Sequence, residues 1–154
     1  MAYPAAARNQ RAEELITGIS ATRRRGDATS REHPQRRDNA QVLLVDDEDL
    51  ALRVLGHRLE REGFNVTPVD DPIMALRKIH ARPGRYRVVV TDLTMPKMSG
   101  IELARSVRAV SPATLVILHS SDTTSHPPYV DLVVPKFRGI SQLIDGLAKL
   151  LERD

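Results

Sequence analysis

Residues 88–100 read Val88-Val89-Val90-Thr91-Asp92-Leu93-Thr94-Met95-Pro96-Lys97-Met98-Ser99-Gly100. Four β-branched residues in a row leave no polar face, which suits a strand covered on both sides in a parallel sheet. A carboxylate, Asp92, follows immediately. The chain then crosses a short loop containing Pro96 and reaches Ser99, an N-cap residue for a helix carrying Ile101, Ala104 and Val107. A buried strand, an acidic strand end and a capped helix make one βα unit.

The same pattern extends in both directions. Upstream, residues 42–45 form an apolar strand, and Leu52, Leu55 and Leu59 share a helix face that Gly63 stops. Residues 64–69 make a second strand. Asp71-Pro72 then reads as an N-cap with proline in the first helical turn, opening a helix with Ile73, Leu76 and Ile79 on one face. Downstream, residues 115–118 and 132–134 are the fourth and fifth strands. A last helix turns Ile140, Leu143, Ile144, Leu147 and Leu151 inward. Strands alternating with helices predict an α/β fold, a doubly wound five-stranded parallel sheet of (βα)5 type. Pro127-Pro128 falls where the fourth helix belongs, so that helix is expected to be shortened or irregular.

The chain has 154 residues, about one domain, with the folded unit expected over 40–154. Residues 1–39 hold eight Arg against five Asp or Glu, while 40–154 balance fifteen Lys or Arg with fifteen Asp or Glu. The net charge of +3 therefore belongs to the front segment. Its apolar content is mostly Ala, with clusters at Arg23 to Arg25 and at Arg36-Arg37, and it is expected to be a disordered basic tail. Leu15, Ile16 and Ile19 there suit a turn or two of amphipathic helix. Cysteine is absent, so disulfides, thiolate metal sites and cysteine nucleophiles are excluded. There is neither a membrane-length apolar run nor a secretory signal, and a cytoplasmic protein is expected.

In a parallel α/β sheet the carboxyl ends of the strands converge on one edge, where ligands bind. Asp46 and Asp47 follow the first strand and Asp92 the third, so three carboxylates meet there. Their mutual repulsion is costly unless a cation sits among them, and hard oxygen donors favour Mg²⁺. The Ser120 hydroxyl follows the fourth strand and Lys136 the fifth, a donor and a point charge suited to phosphoryl oxygens. One strand-end Asp alone is usually a cap or a turn former. Three Asp, a Ser and a Lys gathered from the ends of four strands instead suit a carboxylate nucleophile that attacks phosphorus.

On these residues the chain resembles the receiver domains of two-component response regulators over 40–154. Val42-Leu43-Leu44-Val45-Asp46-Asp47-Glu48 is similar to the family's acidic-pair motif, and 90–100 to its phosphoacceptor loop. The resemblance implies that Asp92 accepts the phosphoryl group and that Asp47, Asp92 and the Thr94 backbone carbonyl ligate Mg²⁺, with Asp46 assisting through water. It also implies the flavodoxin-like strand order, a bacterial source, and as partners a histidine kinase or phosphotransfer protein and a downstream protein target. The expected state is a monomer or weak dimer, stand-alone, with no output domain.

The chain departs from the family in places. Receivers usually end the fifth strand with Lys-Pro, whereas this chain reads Val134-Pro135-Lys136-Phe137. Either Lys136 is the matching lysine and Phe137 replaces the proline, or Pro135 occupies the lysine position; the need for charge beside a metal favours the first. The hydroxyl is Ser120 or Ser121, with strand spacing favouring Ser120, and His119 is given no role. The aromatic residue expected on the fifth strand is missing, Leu132 and Val133 standing in that region, and Tyr129 reads as an exposed loop residue.

Competing functions are discriminated by single features. A phosphorylation-independent docking module would not need Asp46, Asp47, Asp92, Ser120 and Lys136 together. A haloacid-dehalogenase-type phosphatase needs a second Asp two residues after the nucleophile, where Thr94 stands. A sequence-specific DNA-binding regulator needs a helix-turn-helix, and one helix remains after Lys136. The basic tail by itself supports only weak, salt-sensitive contact with nucleic acid.

Overall fold

The computed structural model describes residues 39–122 and 126–153. In chain order these form β1 (Gln41–Val45), α1 (Asp49–Arg61), β2 (Asn65–Val69), α2 (Pro72–Ala81), β3 (Val88–Thr91), α3 (Gly100–Val110), β4 (Leu115–Ser120), β5 (Leu132–Pro135), a 3-10 turn (Lys136–Arg138) and α4 (Ile140–Arg153). The strands make one parallel sheet in the order β2-β1-β3-β4-β5. From β1 the chain moves first to one neighbour and then to the other. That reversal opens the crevice at the carboxyl ends of β1 and β3.

Both faces of the sheet are covered, so alternate strand residues are equally apolar. Val42, Leu44, Val88 and Val90 pack against Leu52, Leu55 and Leu59 of α1 and Leu143, Leu147 and Leu151 of α4. On the other face Leu43, Val45, Val89, Val116 and Leu118 meet Ala75 and Ile79 of α2 and Leu103, Ala104 and Val107 of α3. Each fully buried Leu contributes about 2 kcal/mol. The proposed starts and stops are present as chemistry. The Asp71 carboxylate accepts from the Ile73 amide with proline in the first turn, Ser99 and Glu102 form a reciprocal capping box, and Gly63 has φ 95° after α1.

Several expectations are corrected. Ile101 and Ile73 lie only partly buried, because α3 and α2 turn Leu103 and Ala75 to the sheet in their place. β4 runs on to Ser120 because β5 continues to pair with it through His119–Val134 and Ser120–Pro135. Proline is tolerated there as the last residue of an edge strand. Among the described residues no helical turn lies between β4 and β5, so the sheet carries four α-helices.

In place of the fourth helix there is a polar clamp. The Asp131 carboxylate accepts from the Val116 amide at 2.7 Å and from Arg108 Nη2 at 2.9 Å. Arg108 also donates to the Pro112 and Tyr129 carbonyls, tying the connection to the end of α3. The expectations for the tail, including Leu15, Ile16, Ile19 and Arg23 to Arg25, fall on residues outside those described.

Candidate functional site

Each acidic residue is placed by the backbone before its side chain is considered. The Asp46 amide donates to the Val69 carbonyl and the Asp92 amide to the Val45 carbonyl, extending the β1 ladder by one residue on each side. This brings Asp46, Asp47 and Asp92 together, with one carboxylate oxygen from each lying within 4.8 Å of the others. Asp46 is buried, Asp92 half-buried and Asp47 exposed. The cluster therefore has a floor and an open mouth.

Asp46 is fully engaged: Oδ1 accepts from the Glu48 amide at 2.9 Å and Oδ2 faces Lys136 Nζ at 3.3 Å. The same ammonium lies 3.4 Å from Asp92 Oδ1, which also accepts from the Leu93 amide at 2.8 Å. Of the two registers open at the end of β5, it is thus Lys136 that meets the carboxylates. Ser120 is buried at the end of β4 with Oγ accepting from the Asp122 amide, whereas Ser121 is exposed. Thr94 is exposed two residues beyond Asp92 in the same loop. Tyr129 is 45% exposed, as expected of a loop position, and Phe137, in the 3-10 turn, is 75% exposed.

Charge, not shape, marks the site. Two grooves, about 740 Å³ along α1 and β2 and about 430 Å³ along β5 and α4, are lined by none of Asp46, Asp92 and Lys136. Burial pushes the Asp92 carboxyl above its usual range, the Lys136 ammonium pulling it down and Asp46 pushing it up. Burial pulls Lys136 down, but Asp92 and Asp46 outweigh it and hold the ammonium above its usual range. Three carboxylates against one ammonium leave net negative charge in a half-buried pocket. An all-oxygen donor set of that charge fits a hard divalent cation such as Mg²⁺.

The family model for response regulator receiver domains matches residues 42–135. This chain belongs to that family. Receiver domains are signalling phosphoacceptors of two-component systems and bind Mg²⁺ at this acidic pocket. Among similar proteins is the transcriptional regulatory protein GlrR of Escherichia coli, 30% identical over 115 residues, covering 75% of this chain and 24% of the relative. The receiver protein CpdR of Brucella abortus is 35% identical over 71 residues, 46% of this chain and 58% of that protein. The receiver chain thus spans less than two thirds of either relative. Among solved structures, the response regulator TrrA of Thermotoga maritima in complex with Mg²⁺-BeF has a TM-score of 0.65 at 27% identity, covering 71% of this chain and 97% of that one.

Three features of this receiver were not legible as site features. Gly100 abuts the Asp92 carbonyl: a Cβ built on it would lie 2.1 Å from that oxygen. Its signal was present, a glycine in the first turn of a helix that begins eight residues after the acidic strand end. Lys97, at φ 72°, reaches the Asp71 carboxylate at 2.8 Å and ties the Asp92 loop to the cap of α2. No sequence signal pairs those two residues.

The third is His119, 6% exposed, whose Nε2 has no hydrogen-bond partner among the described residues. Burial pushes its imidazole down to about 4, nearby Lys136 adding to the shift and Asp46 opposing it. The unfolded chain takes up this proton near the ordinary histidine value, whereas the folded chain resists until about pH 4. Stability is therefore complete above about pH 6.5 and falls as the solution is acidified toward 4, by at most about 3 kcal/mol. The raised Asp92 value acts in the opposite sense in any histidine variant as well. In His119→Val the stability difference from wild type should shift in the variant's favour between pH 7 and pH 4.5, measured by urea unfolding. Parallel curves would mean that His119 does not titrate in this way.

Proposed function

We propose that Asp92 accepts a phosphoryl group from the phosphohistidine of a histidine kinase or phosphotransfer protein, and that the modified domain then presents an altered surface to a protein target. The observation carrying this reading is the meeting of Asp46, Asp47 and Asp92 within 4.8 Å, with the Lys136 ammonium 3.3 to 3.4 Å from two of them. The solved complex of TrrA with the histidine kinase ThkA supports the choice of donor.

An Asp92 carboxylate oxygen attacks phosphorus, the new O–P bond forming as the donor's N–P bond breaks and its electron pair returns to the imidazole. Asp46, Asp47, Asp92 and the Thr94 carbonyl would hold Mg²⁺, which when bound draws charge from the phosphoryl oxygens. Lys136 leaves the carboxylates for a phosphoryl oxygen, and the Ser120 hydroxyl donates to another. Both contacts exist only in the phosphorylated state. They give the new charge a means of moving the ends of β4 and β5.

Lys136→Ala separates metal binding from that response. Mg²⁺ affinity should be unchanged or slightly improved, since a nearby cation is removed. Amide shifts at Ser120 and Val134 on fluoroberyllate binding should shrink, reflecting a coupling loss of about 1 to 3 kcal/mol. A full wild-type shift pattern in the variant would make Lys136 a bystander and favour a docking module that works without phosphorylation.

A further inference from the structure

We propose that the edge of the sheet opposite Asp92 is a binding surface for the phosphodiester backbone of nucleic acid, centred on Arg82 and Arg85 and indifferent to base sequence. Between Asp71 and Asp92 the chain contains no Asp or Glu but carries Arg77, Lys78, His80, Arg82, Arg85 and Arg87. These belong to the end of α2 and the loop into β3. The Arg87 amide donates to the Gln41 carbonyl at the start of β1, so the group lies a full strand length, about 15 Å, from the acidic site.

A helix C-terminus attracts cations, which accounts for Lys78 and His80 in the last turn of α2. Arg82 is the C-cap residue and shares that explanation, whereas Arg85 lies three residues beyond it and does not. Among the described residues neither has an ion-pair partner, nor do Arg77 and Lys78. Arg77, Lys78 and Arg82 are exposed and Arg85 is half-buried. Elsewhere some surface cations are matched, as Arg53 is by Asp49 and Arg108 by Asp131, while Arg61, Arg105 and Lys149 stand singly without an ion pair among the described residues; residues 77–87 differ in gathering their cations with no Asp or Glu between them. These cations have no acidic neighbour in sequence, and apart from Lys78, which shares the α1–β2 groove with Glu60 and Asp70, they form an electrostatic footprint for a polyanion.

The loop is also held in shape. The Gly84 amide donates to Ser111 Oγ at 2.8 Å, Ser111 Oγ meets Thr114 Oγ1 at 2.7 Å, and Thr114 Oγ1 donates to the Tyr86 carbonyl at 2.9 Å. This buried chain pins the loop to the end of α3. The Arg85 guanidinium stacks 5.8 Å from the centroid of the buried Tyr86 ring. Its fork is thereby oriented before any ligand arrives, which lowers the ordering cost of binding. Guanidinium forks match phosphate oxygens two at a time.

An anionic membrane would also attract this charge, but insertion requires apolar side chains beside it. Among the described residues the exposed large apolar side chains are Leu50, Val54, Met74, Tyr129 and Phe137; Leu50 and Val54 lie in the first half of α1, Met74 in the first turn of α2 and Phe137 beside Lys136, none of them in the basic segment. Arg36 and Arg37 precede Asn39, whose amide donates to the Gly63 carbonyl at this same edge.

The test uses the full chain and two short fluorescein-labelled DNA duplexes of unrelated sequence, followed by anisotropy. Both duplexes should bind equally, and raising salt from about 50 to about 200 mM should weaken binding about 100-fold if four phosphates are contacted. Arg82→Glu with Arg85→Glu should lose at least about 10-fold in affinity at low salt and lower the log–log salt slope by about two. Arg82→Gln with Arg85→Gln should show a smaller loss in the same direction, with the melting temperature as a check on folding. Labelling at Asp92 should stay as in wild type, so failure here leaves the phosphotransfer reading intact. The proposal is overturned if the Glu pair binds like wild type. It is equally overturned if Arg36→Gln with Arg37→Gln alone abolishes binding, or if the chain binds phosphatidylserine vesicles and neither duplex.

Discussion

Asp92→Asn should lose essentially all hydroxylamine-sensitive phosphoryl label from acetyl phosphate and Mg²⁺, while its melting temperature stays equal to or above that of wild type. The amide is not a nucleophile toward phosphorus, yet it keeps the size of the side chain and an oxygen for the Leu93 amide. Stability should not fall, because the raised Asp92 value says that the fold disfavours the charged form through burial and the Asp46 charge. Removing that charge relieves both. Nor should label migrate to Asp46 or Asp71. Asp46 is 2% exposed with both oxygens engaged, and Asp71 is held by Lys97 and the Ile73 amide. Mass spectrometry of the intact protein distinguishes the outcomes. Undiminished label would place the phosphoacceptor elsewhere and remove the basis of the proposed function.

Sequence alone was sufficient wherever one local rule acted. The apolar run at 42–45 and the β-branched run at 88–91 suit buried strands, and once those strands are parallel the residues that end them must share an edge. Asp46, Asp47, Asp92 and Lys136 were legible for that reason. The caps at Asp71 and Ser99 were legible because their chemistry spans three residues. What escaped notice depends on distant partners. β4 was read as ending at Leu118 because His119 and Ser120 break the apolar run, whereas β5 continues to pair with both. The clamp of Arg108 on Asp131 joins residues 23 apart. No local pattern announces that such a pair stands where a helix was expected. Ile73 and Ile101 erred by a small rotation of the helix face, which is settled by packing against the sheet.

Gly100→Ala should destabilise the protein strongly, its added Cβ meeting backbone more closely than at the other described glycines compared with it. Ser99 and Gly100 open α3 within the capping box, and the first turn of that helix presses against the end of β3. The added Cβ would sit 2.1 Å from the Asp92 carbonyl oxygen and 2.9 Å from Leu118 Cδ1. The leucine terminus has freedom to turn away. The carbonyl has little, because it accepts from Thr91 Oγ1 at 2.9 Å and the Asp92 amide is fixed by the Val45 carbonyl. Relief must come from shifting α3 or the phosphoacceptor loop, an overpacking cost of about 3 kcal/mol. For a domain of this size that is a fall of about 10 °C in melting temperature. The same shift acts on the site, since the Gly100 amide donates to the Leu93 carbonyl at 2.8 Å and so closes the loop that follows Asp92. Labelling from acetyl phosphate, measured well below the lowered melting temperature, should therefore slow by about 10-fold or more. Gly56→Ala is the control: it lies on α1, where an added Cβ would meet Leu44 and Val66 only at 3.9 Å. That variant should melt within a few degrees of wild type and label normally. If Gly100→Ala does the same, the approach of α3 to Asp92 is looser than the structure shows, and the rigidity ascribed to the loop is wrong.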